Sequence, residues 1–251
     1  MKIAIYTCIT GGYDKLCSPI VIDPRFEYFY FSDSSSDLVP PWIFKQIDIS
    51  NLNQKDKNRY IKMHPQEFFQ DYDVTVYIDG SIKLIGDIYP LILRALSSSE
   101  DIFMYQHPHR NCIFTEALAC SNYSHDWIWT IASQMRRYAA EGYPVNKGLF
   151  EAGVIIRKNS LKSNSLMSMW WREYLAGVKR DQISLPVCAW RLGVELGSLG
   201  ESDPRFGHRY FKFVDHPPER NIKMTIRRYI NKLITLLVPR EKLFNLKNFS
   251  K

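Results

Sequence analysis

Asp73-Val74-Thr75-Val76-Tyr77-Ile78-Asp79-Gly80-Ser81 is the stretch whose reading decides the fold. Its β-branched and aromatic run carries no charge between Asp73 and Asp79. A continuous rather than alternating apolar run is the pattern of a strand buried on both faces, as in a sheet covered by helices on either side. Residues 2–9 and 26–31 repeat it, each run ending near Gly, Asp or Ser. Helical spacing fills the gaps. A polar stretch from Asn51 to Arg59 leads into a helix reaching Met63 before Pro65. Asp87 to Leu96 sets Ile88, Leu91, Ile92 and Ala95 on one face. Asp101 to Tyr105 reads as a strand. From Ser124, taken as a cap, a longer helix carries Trp127, Ile128, Ile131, Met135 and Tyr138 until Gly142 and Pro144. Gly153 to Arg157 is a strand, and Asn164 to Leu175 a helix with Leu166, Met169, Trp170 and Tyr174 on its core side. This alternation predicts an α/β fold, with a mainly parallel central sheet flanked by helices. Such sheets bind ligands beyond the carboxyl ends of their strands, so the residues just after each strand are the first place to look for function.

The 251 residues are 45% hydrophobic and 24% charged, which excludes disorder, collagen-like repeats and small disulfide scaffolds. The net charge of +7 is uneven. Residues 1–218 carry 24 basic and 24 acidic side chains, and residues 219–251 carry nine basic residues against Glu219 and Glu241. We therefore read one domain over 1–218 and a basic amphipathic tail over 219–251. The neutral body has no zinc-finger, RRM or KH pattern, so nucleic acid is not an expected partner. Within the tail, 220–238 sets Ile222, Ile226, Tyr229, Ile230, Leu233 and Leu237 on one helical face and Lys223, Arg227, Arg228 and Lys232 mostly elsewhere. Such a helix either lies on an anionic membrane surface or packs on the domain as a terminal helix. Five cysteines without CxxC spacing suggest neither a disulfide framework nor a zinc site. The first apolar run is short for a signal segment. The expected location is cytoplasmic, peripheral on the inner face of the membrane.

Three places could carry chemistry. Asp79 ends a strand beside Gly80, which admits a bulky ligand, and a hard carboxylate there suits Mn²⁺ or Mg²⁺ bridging a diphosphate; Asp-Gly is equally a turn dipeptide. His107-Pro108-His109-Arg110 follows another strand, with Glu116 beyond it. Arg offers a bidentate fork to phosphate, and a solvated loop is the alternative. Glu151 precedes a strand, while Asp181 is placed either for chemistry or to cap the helix after it.

Taken in order, Thr7-Cys8-Ile9-Thr10-Gly11-Gly12-Tyr13-Asp14, Phe31-Ser32-Asp33, Arg59-Tyr60-Ile61-Lys62-Met63-His64-Pro65, Tyr77-Ile78-Asp79-Gly80-Ser81, His107-Pro108-His109-Arg110 with Glu116-Ala117, Gln134-Met135, Glu151-Ala152-Gly153-Val154-Ile155-Ile156-Arg157 and Arg180-Asp181-Gln182-Ile183-Ser184 give the chain a family likeness. It resembles, over about residues 3–195, a glycosyltransferase-like family first catalogued as a domain of unknown function and shared by plant Golgi proteins and bacterial polysaccharide-cluster proteins. The resemblance implies a GT-A type nucleotide-sugar fold and transfer of a sugar from a nucleoside diphosphate to a surface-polysaccharide or lipid-linked oligosaccharide acceptor. It implies that Asp79 stands where such enzymes keep an aspartate-x-aspartate metal motif, whose third position here is Ser81. By the same likeness Thr7 and Tyr13 in the first loop and Asp33 contact the nucleoside, Ser81 holds a metal-bound water or a ribose hydroxyl, and Arg59 and Lys62 face the diphosphate. His107 and Arg110 line the donor sugar or phosphate, Glu151 and Asp181 are candidate general bases on the acceptor side, and a late histidine, His208 or His216, is a further metal ligand. Two other readings stay open. A sugar-nucleotide nucleotidyltransferase would keep an Arg in its first loop, which Thr10 to Lys15 lacks, and a non-catalytic carbohydrate-binding scaffold would have no need of a second acid.

Overall fold

The apolar runs become strands with both faces covered. The structure, a computed structural model, describes residues 1–35, 37–201, 208–214, 222–238 and 243–244. In chain order the strands are β1 (Ile3–Ile9), β2 (Phe26–Ser32), β3 (Ile43–Gln46), β4 (Val74–Ile78), β5 (Ile82–Leu84), β6 (Ile102–Gln106), β7 (Phe150–Lys158), β8 (Gly197–Glu201) and β9 (Phe211–Phe213). The helices are α1 (Gln54–Met63), α2 (Pro65–Phe68), α3 (Tyr89–Leu96), α4 (Ile113–Asn122), α5 (Ile128–Ala140), α6 (Leu161–Ala176), α7 (Asp181–Leu192) and α8 (Ile222–Leu237). Seven strands form one sheet in the order β3-β2-β1-β4-β7-β6-β8, and β5 pairs with β9 in a small second sheet. All neighbours in the large sheet are parallel except β7, which runs antiparallel to both β4 and β6.

Side chains alternate between two cores, as a pleated strand requires. Ile3, Ile5, Val74, Val76 and Ile78 join Leu91 and Ile92 of α3 on one face. Ala4, Tyr6, Cys8 and Tyr77 join Ile61 and Met63 of α1 and Trp170 and Tyr174 of α6 on the other. Each fully buried aliphatic or aromatic side chain contributes about 1.5–3 kcal/mol, which fixes the strand register against a one-residue slip. A third core gathers Ile113 and Ala117 of α4, Ile128 and Ile131 of α5, and Val187 of α7.

Several elements differ from the sequence reading. The strand expected at Gly153 to Arg157 is longer and is the one that runs against the rest. Ser124 does not cap α5: it has a φ of +53°, and Trp127 is the cap residue. The helix read from Asn164 begins at Leu161, because Ser160 and Ser163 form a reciprocal capping box one turn earlier. The short strands β3, β5, β8 and β9 were not anticipated. β3 pairs only with β2 and is mostly exposed, so it carries little apolar signal.

The basic tail, where described, is packed on the body. Asn231 of α8 is only 3% exposed, its Oδ1 accepts from Ile128 N at 3.1 Å, and its Nδ2 donates to the Asp126 carbonyl at 2.9 Å. Phe244 is buried in the third core, with Ile234 and Leu243 against it. Docking through a polar residue leaves the apolar side outward: Ile226, Tyr229, Leu233, Leu236 and Leu237 are exposed.

Helices α5, α6 and α7 are tied by a charged network. Glu173 accepts from Arg137, from Tyr138 Oη at 2.9 Å and from Arg191 Nη1 at 2.8 Å. Burial alone would raise its pKa, but the bonds from Arg137, Arg191 and Tyr138 outweigh it and hold the carboxyl at about 2, below its ordinary 4.5. A depressed folded-state pKa contributes stability above the unfolded value and loses it as pH falls through the folded one. Glu173→Gln should therefore cost on the order of 3 kcal/mol at pH 7, with the gap from wild type closing between pH 4.5 and pH 2. Urea midpoints of both proteins across that range measure it, and a pH-independent gap would contradict the account.

Candidate active site

The parallel strands β1, β2, β4 and β6 all finish at one edge of the sheet, and β7, running the other way, begins there. One edge therefore collects Thr10 to Asp14, Asp33, Asp79, His107 and Glu151. β4 ends at Ile78, and the backbone turns at once: Asp79 N donates to the Gly153 carbonyl at 2.8 Å, and Ile82 N to the Asp79 carbonyl at 2.8 Å. Glycine is required in the turn. A Cβ at Gly80 would lie 2.7 Å from Ile9 Cγ1 and 2.8 Å from Asp14 Oδ2, so Asp79 sits against the first loop.

Beneath this turn lies a buried ionic group. Lys62 of α1, its side chain 1% exposed, puts Nζ 2.7 Å from Asp181 Oδ2 and 3.6 Å from Asp79 Oδ1. Tyr77 Oη also donates to Asp79 Oδ1, at 2.8 Å, and Arg59 Nε lies 3.1 Å from Asp181 Oδ2. Lys62 and Arg59 are three residues apart on α1 and so share a face. Burial pushes the Asp181 carboxyl up, but Lys62, Arg59 and Arg180 together drive it far below the ordinary carboxylate range. Asp181 is the first residue of α7 rather than its cap, which is Arg180. From that position its Oδ1 still accepts from Gln182 N in the first turn, at 3.2 Å, while its Oδ2 turns to Lys62.

A second group stands beside the first. Glu116 of α4, 2% exposed, accepts from Arg110 Nε at 2.6 Å and from Arg180 Nε at 3.4 Å. His107 Nδ1 faces the backbone N–H groups of His109 and Arg110 at 3.1 and 3.2 Å, and its Nε2 lies 3.9 Å from Glu116 Oε2. Burial and then Arg110 lower the His107 pKa, favouring the neutral ring. Arg59, Arg110 and Arg180 stay partly exposed, at 22%, 30% and 35% of their side chains, while Arg59 Nη1 also donates to Asn58 Oδ1 and Arg110 Nη2 lies 2.9 Å from His107 Nε2. Next to His107 a cavity of about 320 Å³ opens, lined among others by Arg110, Gly148, Phe150 and Glu201.

The first loop is ordered by Asp33, whose two carboxylate oxygens accept from Gly11 N at 3.2 and 3.1 Å. Gly11 and Gly12 both take positive φ, which side chains strain to adopt. Tyr13 on this loop is half exposed. Thr7 is placed differently from expectation: it lies inside β1 at 3% exposure, because the strand continues to Ile9 and the loop starts at Thr10. Ser81 is 8% exposed in the turn after Asp79. Glu151, partly buried, is the second residue of β7 and pairs in register with Tyr105. His208 packs edge-on against Tyr105 at 5.0 Å and accepts on Nδ1 from Tyr210 and Phe211 N–H, a structural setting. His216 lies outside the described residues.

For a divalent cation the described residues are a poor match. No three acidic, His or Cys side chains among them converge, and the near oxygen of Asp79 faces the Lys62 ammonium and the Tyr77 hydroxyl rather than a second acid. Arg180 and the anchoring role of Glu116 were not assigned from sequence. The adjacency of Arg180 to an acid at a helix start was the available signal.

Removing Lys62 should leave Asp181 buried without its nearest cation. Lys62→Met should cost about 3–5 kcal/mol, as breaking a buried pair does, and adding Asp181→Asn should recover part of the loss. Denaturant unfolding of the double-mutant cycle gives the coupling; simple additivity would remove Lys62–Asp181 as a clamp.

Comparison with known proteins bears on what this edge does. No curated protein matches the chain in sequence. The crystal structure of mouse xyloside xylosyltransferase 1 in its apo form is similar at a TM-score of 0.48, with 12% identity over 79% of this chain and 85% of that one. The model of the TOD1/MUCI70 glycosyltransferase-like domain matches residues 32–199, a span that holds Asp33, Arg59, Lys62, Asp79, His107, Arg110, Glu116, Glu151 and Asp181. That span is more than half of the chain, which therefore belongs to the TOD1/MUCI70 glycosyltransferase-like family.

Proposed function

We propose that the chain transfers a sugar from a nucleoside diphosphate to a surface-polysaccharide or lipid-linked oligosaccharide acceptor. The observation that carries this reading is that Arg59, Arg110 and Arg180, paired with the buried carboxylates Asp181 and Glu116, stand partly exposed at the sheet edge that holds Asp79. A diphosphate laid across that edge meets three guanidinium forks. In transfer, the bond from the anomeric carbon to the phosphate oxygen breaks, the electron pair leaves with the nucleoside diphosphate, and an acceptor oxygen bonds to the anomeric carbon. The arginines stabilise the charge that grows on the departing phosphate, and Lys62 adds a fixed positive charge from below. Asp181, held ionised by its partners, is a poor proton acceptor and serves as their anchor. Glu151 is then the carboxylate that takes the acceptor hydroxyl's proton. Thr10 to Tyr13, ordered by Asp33, form the nucleoside wall.

The lysine beside Asp79 favours a second reading as well, in which the site holds a nucleotide or glycan without transferring it. Thermal melting with a panel of nucleoside diphosphate sugars, each with and without Mn²⁺, decides the first part. A donor at 100 times its Kd should stabilise by about 2.7 kcal/mol. Asp79→Asn, which keeps an acceptor for Tyr77 Oη and Lys62, should hold the unliganded melting temperature better than Asp79→Ala and abolish release of nucleoside diphosphate from the stabilising donor. Donor binding with no release by wild type supports the second reading; no shift with any donor sinks transfer and moves glycan holding to the front.

The acceptor side is read from α8, whose outward Ile226, Tyr229, Leu233, Leu236 and Leu237 are flanked by exposed Arg228 and Lys232. That is the pattern of a helix lying on an anionic bilayer, with each basic residue worth about 1 kcal/mol near the surface. Among the described residues no helix is long and apolar enough to cross a membrane. Vesicles containing phosphatidylserine should sediment the protein at low salt. The pair Leu233→Asp and Leu237→Asp should release it without changing its melting temperature, and equal sedimentation of the variant would refute the assignment.

A further inference from the structure

The loop joining α6 to α7 carries Arg180 and Asp181 into the site, and its own backbone is held almost entirely by side chains from elsewhere. Val178 N donates to Gln134 Oε1 at 2.7 Å. The Lys179 carbonyl accepts from Lys55 Nζ at 2.8 Å. Lys179 N donates to Asp126 Oδ2 at 3.0 Å. Asp126 is 9% exposed and does more than close this loop. Its Oδ1 accepts from Trp127 N at 2.8 Å, and its carbonyl accepts from Asn231 Nδ2 at 2.9 Å. Asn231 in turn accepts from Ile128 N at 3.1 Å, so the first turn of α5, whose cap residue Trp127 makes no side-chain cap bond, is completed by Asp126 and by a residue of α8. A carboxylate at a helix N-terminus is also favoured by the helix dipole. Asp126 is thus bonded at once to the site loop, to the start of α5 and to α8, and α8 lies beyond the stretch matched by the family domain.

We propose that Asp126 is a positioning residue for the candidate site and that Asn231 sets it, which makes α8 part of the apparatus presenting Arg180 and Asp181. The proposal rests on the reading of this edge as a diphosphate-binding site. A turn of the backbone at Lys179 swings the next residue, so loss of the Asp126 bond displaces the Arg180 guanidinium from Glu116 and from the diphosphate. Lys55 and Gln134 still hold the rest of the loop, so the effect falls on geometry rather than on folding.

The test uses the full chain with Asp126→Asn and Asn231→Ala, and inorganic pyrophosphate as the probe. Amide hydrogen exchange should quicken at Lys179 in both variants, while Val178, held by Gln134, keeps its protection. Pyrophosphate Kd, measured well below the melting temperature, should rise about tenfold, the effect of losing one contact worth about 1.4 kcal/mol. A purely structural role would speed exchange throughout the chain and leave the Kd of the folded protein unchanged, which overturns the proposal, as does unaltered exchange at Lys179. If wild type binds no pyrophosphate, the diphosphate reading of the site fails, and selective exchange at Lys179 still decides whether Asp126 and Asn231 hold the loop.

Discussion

Lys62 and Asp181 meet 2.7 Å apart with almost no access to water, and much of the site's geometry follows from that contact. One partner comes from α1 and the other from the first turn of α7, so the pair clamps two helices across the same face of the sheet. Neither charge tolerates burial alone, which obliges the helices to keep their relative position. Arg59 lies one turn before Lys62, and Arg180 precedes Asp181, so fixing the pair also fixes where two of the three partly exposed guanidinium groups emerge. Asp79 completes the arrangement from β4, 3.6 Å from the same ammonium.

The reversed strand matters as much. Had β7 run parallel to its neighbours, its first residues would lie at the far edge of the sheet, away from Asp79. Running antiparallel, it delivers Glu151 to the edge that holds Asp79 and packs Gly153 against Asp79, where a Cβ would fall 3.4 Å from Oδ2 and 2.8 Å from Ile82 Cδ1. A single inverted strand therefore supplies both an acid and the space beside it.

Much of this was legible in the chain. Runs such as Val74 to Ile78 announce themselves because strands buried on both faces need apolar residues at every position, and the residues following them gather at one edge of the sheet. Strand direction was not legible, since Phe150 to Lys158 reads the same either way. The run over residues 2–9 does mark β1, and Thr7 was placed in a loop only by the family likeness, against that local pattern. Asp181 looked like a cap because its true partners, Lys62 and Arg59, are more than a hundred residues away. The docking side of α8 was hidden for a related reason: the apolar stripe is the obvious face to bury, yet the helix is seated by Asn231, whose worth depends on unpaired groups at Asp126 and Ile128. Hydrophobic periodicity reports burial, while long-range polar pairing leaves no periodic trace.

The bond from Ile128 to Asn231 spans 103 positions. Closing so long a loop adds little to its cost in equilibrium terms, because the entropy grows only with the logarithm of length, but such distant contacts form slowly. Helices α4 to α7 can assemble their core from nearer neighbours first, leaving the beginning of α5 without its last partner. The order of the loop bearing Arg180 and Asp181 then becomes a record of how far folding has gone, and a molecule that has not yet seated α8 carries an unfinished site on an otherwise native body.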